Sequence, residues 1–184
     1  MSHFNLIHAG LDVAPILAEL DAQPALWNQN RDRKDRAGTA HAEMDDIWLR
    51  ARSREEIDSD FAFNEAHWPV FYPAWRLLPS VHNVAWALMA MAKAVQLGGC
   101  LITRIPSGAR ILPHADCGWH AEWFQTKYYV VLKGGPRCLN ICEQDVINMR
   151  AGEIWAFENR LTHSVENHDD SERVSLIVTM RVES

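Results

Sequence analysis

The sequence predicts an α+β chain in which residues 100–184 form a β core of two sheets and residues 1–99 form a helical and irregular half that covers it. Two observations carry this prediction. After Gly99 eight short β-type runs follow at close spacing, CLITRI, ARILP, KYYVVL, RCLNI, VINM, IWAF, THSVEN and RVSLIVTMRV, separated by the turn formers PSG, KGGP, RAGE and NHDDSE. No helical period runs between them, and that texture is the one expected of a double-stranded β-helix, the jelly roll of cupin-like proteins. Before Gly99 the apolar positions follow a helical period instead. A chain of 184 residues, 48% of them hydrophobic, is a single domain (1–184) that buries roughly 70% of its unfolded surface.

Along the first half, Asp12 is positioned to cap a short helix carrying Ile16, Leu17 and Leu20, which ends before Pro24. Asn28 to Thr39 is polar and mixed in sign, the composition of a solvated loop. Ile47, Trp48 and Leu49 form a short apolar island. Pro69, Pro73 and Pro79 interrupt an aromatic-rich stretch, so no long regular element fits there. Ser80 is the expected cap of the clearest helix, with Val81, Val84, Ala85, Leu88, Met91, Ala92 and Val95 on its apolar face and Gly98-Gly99 as its stop.

The last strand alternates cleanly. Val174, Leu176, Val178, Met180 and Val182 form an aliphatic face to be buried under the N-terminal helices, while Arg173, Ser175, Ile177, Thr179 and Arg181 line something wet.

Charge and sorting signals bound the partners. With 18 basic against 24 acidic residues the net charge is −6, so neither nucleic acid nor an anionic membrane surface is an expected partner. The N-terminus lacks a basic n-region, and the apolar run near Val84 to Val95 is too short to span a bilayer, so the expected location is the cytoplasm. Cys100, Cys117, Cys138 and Cys142 then read as free thiols.

The candidate chemistry starts at ILPHAD. His114 and Asp116, two apart in an extended run, leave the same side of the chain, and His163 follows a second strand-like run, IWAFENR. Two histidines and one carboxylate make the facial set of non-haem Fe(II) oxygenases, which leaves three metal positions open. Arg173 lies ten positions after His163. A hairpin folded about His168 would set the two directly opposite and aim Arg173 into the cavity beside the metal. A buried guanidinium there calls for a bidentate anion such as the far carboxylate of a 2-oxo diacid.

The runs IPSGARILPHAD, KYYVVL and AGEIWAFENRLTHSVENHDDSERVSLIV resemble the aspartyl/asparaginyl β-hydroxylase family of Fe(II)- and 2-oxoglutarate-dependent dioxygenases over about Leu101 to Val182. The resemblance implies Fe(II), 2-oxoglutarate as cosubstrate, O2, and hydroxylation of an unactivated C–H in a small-molecule amino acid or an Asp/Asn-like residue of a peptide. It implies His114 and His163 as metal ligands, with Asp116, a carboxylate that some animal members lack and this chain keeps, available to complete the set; it implies Arg173 as the clamp on the cosubstrate's distal carboxylate and Thr103 as its hydroxyl assistant. Lys127 and Tyr129 fall near the cosubstrate's other end, Tyr129 where the family has a basic residue. Trp119, His120, Glu122 and Trp123 form a loop overhanging the metal, as a substrate lid or as rim packing. His41, Trp48 and Arg50 belong to the covering half, with Arg50 available for a substrate carboxylate. Two other readings stay open: a cupin-type metalloenzyme that uses no 2-oxoglutarate, and a non-catalytic jelly-roll module holding an acidic ligand through Arg173 and Lys127.

Overall fold

The computed structural model describes residues 2–57 and 65–183. Two antiparallel sheets face each other. Eleven strands are named in chain order: β1 (Phe4–His8), β2 (Asp45–Ala51), β3 (Val70–Phe71), β4 (Gln96–Ile105), β5 (Arg110–His114), β6 (Thr126–Lys133), β7 (Cys138–Cys142), β8 (Asp145–Ile147), β9 (Ile154–Phe157), β10 (His163–Asn167) and β11 (Arg173–Arg181). The larger sheet has the order β1-β9-β6-β11-β4-β2-β3 and the smaller β5-β10-β7-β8. All eight strands expected after Gly99 are present, β4 starting at Gln96, four residues before the CLITRI run. The helices are α1 (Ala14–Ala22), α2 (Asp32–Asp35), α3 (Pro73–Leu77), α4 (Pro79–Ala92) and α5 (Trp119–Trp123).

The alternation of β11 decides the layering. Val174, Leu176, Val178 and Met180 join Ile16 and Leu20 of α1 and Val81, Ala85 and Leu88 of α4 in one buried apolar cluster. Each such side chain withdrawn from water contributes on the order of 1.5–3 kcal/mol. The opposite face of the large sheet, carrying Arg173, Ser175, Ile177 and Thr179, turns toward the small sheet.

Several expectations change. The first half is more than a helical cover, because β1, β2 and β3 take both edges of the large sheet: β1 pairs with β9 and β2 with β4. Residues 28–39 are not free loop, since Arg33 and Lys34 reach back to Asp46 and Asp45 at 3.0 and 2.8 Å. Ser80 does not cap α4. The helix starts at Pro79, and the Glu19 carboxylate of α1 accepts the Ser80 N–H at 3.0 Å and its hydroxyl at 2.5 Å. The helix stops at Ala92 with Lys93 in the left-handed region (φ 53°), six residues before the glycine pair.

Gly98 and Gly99 lie inside β4 for a different reason. A Cβ on Gly98 would stand 2.5 Å from Thr179 Oγ1 and 2.6 Å from the Phe124 ring, closer than any real contact. Cys100, Cys138 and Cys142 are buried thiols as expected, whereas Cys117 is exposed.

The hairpin about His168 does not form. β10 pairs with β5 and β7 in the small sheet, while β11 lies between β4 and β6 in the large one, so His163 and Arg173 belong to different sheets of the sandwich. The crossing is held by Asn167, whose side-chain amide donates to the carbonyls of Ile105, Pro106 and Ser171 at 2.9–3.1 Å. Arg173 therefore points inward because odd positions of β11 do.

Candidate metal centre and cavity

His114 ends β5, His163 opens β10, and the two are directly paired in register. Asp116 follows two residues after β5, its N–H donating to Asn159 O at 2.8 Å. Ligand atoms of His114, Asp116 and His163 all lie within 4.8 Å of one another, the one such group among the described residues. Each histidine donates Nδ1–H to the carbonyl two residues back, His114 to Leu112 and His163 to Leu161, both at 2.9 Å. That fixes the tautomer and leaves both Nε2 lone pairs for a metal. Burial lowers the pKa of His114 and takes that of His163 to about 4, so both rings are neutral as ligation requires.

Asp116 is held with equal care. Oδ1 lies 3.7 Å from His114 Nε2, while Oδ2 accepts from Lys127 Nζ and from Asn159 Nδ2, the latter at 2.6 Å. Burial alone would raise this carboxyl's pKa. The Lys127 charge and the hydrogen bonds from Lys127 and Asn159 outweigh it and hold the group well below the usual carboxylate range. One oxygen is thus committed to the protein and one is left for a cation. Two nitrogens and one carboxylate oxygen on one side of a site suit a first-row divalent metal with open positions.

Arg173 sits deeper between the sheets, only 2% exposed. Its Nε donates to Ser175 Oγ at 3.2 Å, Nη1 donates to Asn140 Oδ1 and approaches the Cys138 thiol at 3.8 Å, and Nη2 lies 3.7 Å from Met149 Sδ. Burial pushes the Cys138 pKa up, so that sulfur stays uncharged. Among the described residues no carboxylate ion-pairs with Arg173. A buried guanidinium surrounded by neutral groups is costly unless a ligand brings the missing anion. Thr103 of β4 lies directly opposite Ser175 of β11, on the same face as Arg173. Tyr129 stacks on Phe157 at 4.7 Å, and Lys127 Nζ lies 5.2 Å from the Tyr129 ring centre.

Beyond Asp116 a cavity of about 200 Å³ opens toward the covering half. Its walls include Trp48, Arg50, Arg52, Leu101, Phe124, Lys127 and Ile177. Arg50 is half-buried, donates to Leu97 O at 3.4 Å and rests on the Phe71 ring at 4.4 Å, with no acidic partner among the described residues.

His120 also lines this cavity, but both its nitrogens are used. Glu65 O can only accept, so His67 Nδ1 carries a proton and donates to it at 2.9 Å. Neutral His67 then accepts at Nε2 from His120 Nδ1–H at 3.3 Å, and His120 Nε2 accepts the Thr179 hydroxyl at 3.0 Å. The Thr179 oxygen takes the Gly99 N–H at 2.6 Å. Burial lowers the pKa of both rings, that of His120 to about 3, in keeping with this neutral chain. Trp119 does not line the cavity. It stacks on Trp123 at 5.6 Å and meets Trp68 edge-on at 6.0 Å, which is the rim-packing reading of that loop.

Residues 25–182, most of the chain, match the profile of the family described as aspartyl/asparaginyl β-hydroxylase. The chain belongs to this family. A curated relative, the L-proline cis-4-hydroxylase of Rhizobium meliloti (strain 1021), is 32% identical over 77 residues, which is 42% of this chain and 27% of the relative. The chain thus matches about a quarter of that relative's length. Two solved structures share the fold. An oxidoreductase of the 2OG-Fe(II) oxygenase family from Burkholderia pseudomallei superposes with a TM-score of 0.62 at 14% identity, covering 97% of this chain and 84% of that one. A prolyl-4-hydroxylase from Pseudomonas putida does so with 0.56 at 16% identity, covering 99% and 94%. The jelly roll expected from the strand pattern is therefore the fold of this family member.

Sequence reasoning missed Asn159, Asn140 and His67. Asn159 and His67 lie in loops and carry no periodic signal, and Asn140, in β7, gains its role only once the two sheets meet.

Proposed function

We propose that the protein is an Fe(II)- and 2-oxoglutarate-dependent hydroxylase acting on an amino acid that presents a free carboxylate. The observation that carries this reading is the pairing of the His114, Asp116 and His163 set with a buried Arg173 on the facing sheet that no carboxylate among the described residues pairs. His114 Nε2, His163 Nε2 and Asp116 Oδ1 would hold the metal. When bound together, Fe(II), 2-oxoglutarate and O2 supply the oxidising power to hydroxylate an unactivated C–H bond.

The chain's own residues do the rest. Lys127 and Asn159 keep Asp116 ionised and oriented. Arg173 receives the distal carboxylate of 2-oxoglutarate as a two-pronged donor, and Ser175, Asn140 and Thr103 complete that end. Arg50 receives the substrate carboxylate, while Leu101, Phe124 and Ile177 exclude water from the substrate's aliphatic body. The proline hydroxylase relative supports an amino acid substrate.

The deciding experiment is an anaerobic visible spectrum of the metal-stripped protein on addition of Fe(II) and then 2-oxoglutarate. A weak charge-transfer band that arises only after 2-oxoglutarate is the expected result. Bound iron with no such band would instead favour a metalloenzyme independent of 2-oxoglutarate, and no bound iron a non-catalytic module.

A further inference from the structure

A row of rings runs through the metal centre. Phe157 meets His163 edge-on at 5.1 Å, His163 meets His114 at 4.3 Å, and His41 closes the row edge-on against His114 at 4.7 Å. His41 comes from the covering half and is not among the three residues whose ligand atoms converge. It is brought there by a strap. Ala40 O accepts the Leu112 N–H at 2.9 Å, and Glu43 Oε2 accepts the Arg110 N–H at 3.0 Å, so residues 40–43 run along the otherwise unpaired edge of β5. Thr39 Oγ1 anchors the approach by donating to Arg33 O at 2.7 Å, and Met44 plugs the exit, 1% exposed.

The strap meets a need that the hydrogen bonds leave open. The Nδ1 bond to Leu112 O sets which nitrogen of His114 faces the metal, yet one bond does not fix the tilt of a ring at the end of an edge strand. On the His163 side the ring has a neighbour. On the other side, among the described residues, His41 is the ring that meets it.

We infer that His41 is a positioning residue, the end-stop that holds the His114 imidazole in the tilt at which Nε2 faces Asp116 and His163. This rests on the proposed metal site, and its role is packing: His41 acts through its ring face and edge, not as a ligand. Partners that orient metal ligands are typically worth 10- to 100-fold in metal affinity.

The test uses Co(II) as the probe, read by titration calorimetry and by its visible d–d spectrum, with apo-protein circular dichroism as the folding check. His41→Ala is expected to weaken Co(II) binding about tenfold or more and to shift the d–d bands. His41→Phe, which restores a ring, should bind within about threefold of the native chain, a rescue that neither a ligand nor a hydrogen-bonding role would give. Glu43→Ala loosens the strap from an exposed position and should weaken Co(II) severalfold, so the test stands even where His41→Ala does not fold. Native affinity and spectrum in His41→Ala, or in Glu43→Ala should the former not fold, overturns the inference. So does a His41→Phe chain as weak as His41→Ala. A native chain that binds no Co(II) overturns the site reading beneath it, an outcome distinct from both.

Discussion

Lys127 and Asp116 form an ion pair on the carboxylate oxygen that faces away from His114, so the cation of the pair holds the carboxylate while its second oxygen stays free. Removing either partner strands the other in a mostly buried site. Lys127→Met and Asp116→Asn should each destabilise the metal-free protein, and the double variant should recover part of the loss. Urea unfolding of the four chains is expected to give a coupling of about 1–3 kcal/mol. Additive single effects would show that the pair is spent on solvent.

Arg173→Ala removes the buried guanidinium from its contacts with Ser175, Asn140, Cys138 and Met149. Its expected signature is a 2-oxoglutarate requirement raised about 10- to 100-fold, the size of a charged hydrogen bond worth roughly 1.5–3 kcal/mol, with Fe(II) affinity little changed. A titration of 2-oxoglutarate against the anaerobic charge-transfer band reads both. Loss of Fe(II) binding along with 2-oxoglutarate would mean that Arg173 shapes the metal site instead.

Asp45 predicts an acid limb in stability. Burial raises its pKa, but hydrogen bonds from Lys34, Asn28 and Arg104 and the Lys34 charge take the folded value down to about 2. A depressed carboxyl stabilises the fold above its unfolded pKa of about 3.9 and ceases to do so as pH falls through the folded value. Unfolding free energy should therefore fall between about pH 4 and pH 2, and Asp45→Asn should flatten that part of the curve while lowering stability at neutral pH.

Gly98→Ala should cost about 1–3 kcal/mol, since its methyl would have to displace Thr179 Oγ1 and the Phe124 ring. Thermal unfolding measures it. An unchanged midpoint would show that the α5 end of the cavity is loose enough to give way.

Much of this was legible in the chain itself. Period-two alternation marked β11 and its aliphatic face, and turn residues bounded all eight later strands, because both signals are local. The H-x-D pair is local as well, whereas His163 and Arg173 were tied to it by the family resemblance of the runs around them. What stayed hidden were matters of pairing. The chain crosses between sheets at Asn167 instead of making the hairpin about His168, and nothing within five residues announces that. β2 read as a short apolar island because Asp46 and Arg50 interrupt its apolar pattern, the one paired with Arg33 and the other lining the cavity. Lys93 ended α4 in a left-handed conformation more often taken by Gly or Asn.

The placement of β1 against β9 also governs the order of events during synthesis. Phe4–His8 leaves the ribosome well before its partner Ile154–Phe157, and the apolar faces of α1 and α4 wait for Arg173–Arg181 of β11. Such long-range pairing slows folding, and the waiting helices expose apolar surface meanwhile. The nascent chain therefore holds its helices uncovered until β11 has emerged, and that interval is when they are most exposed to aggregation.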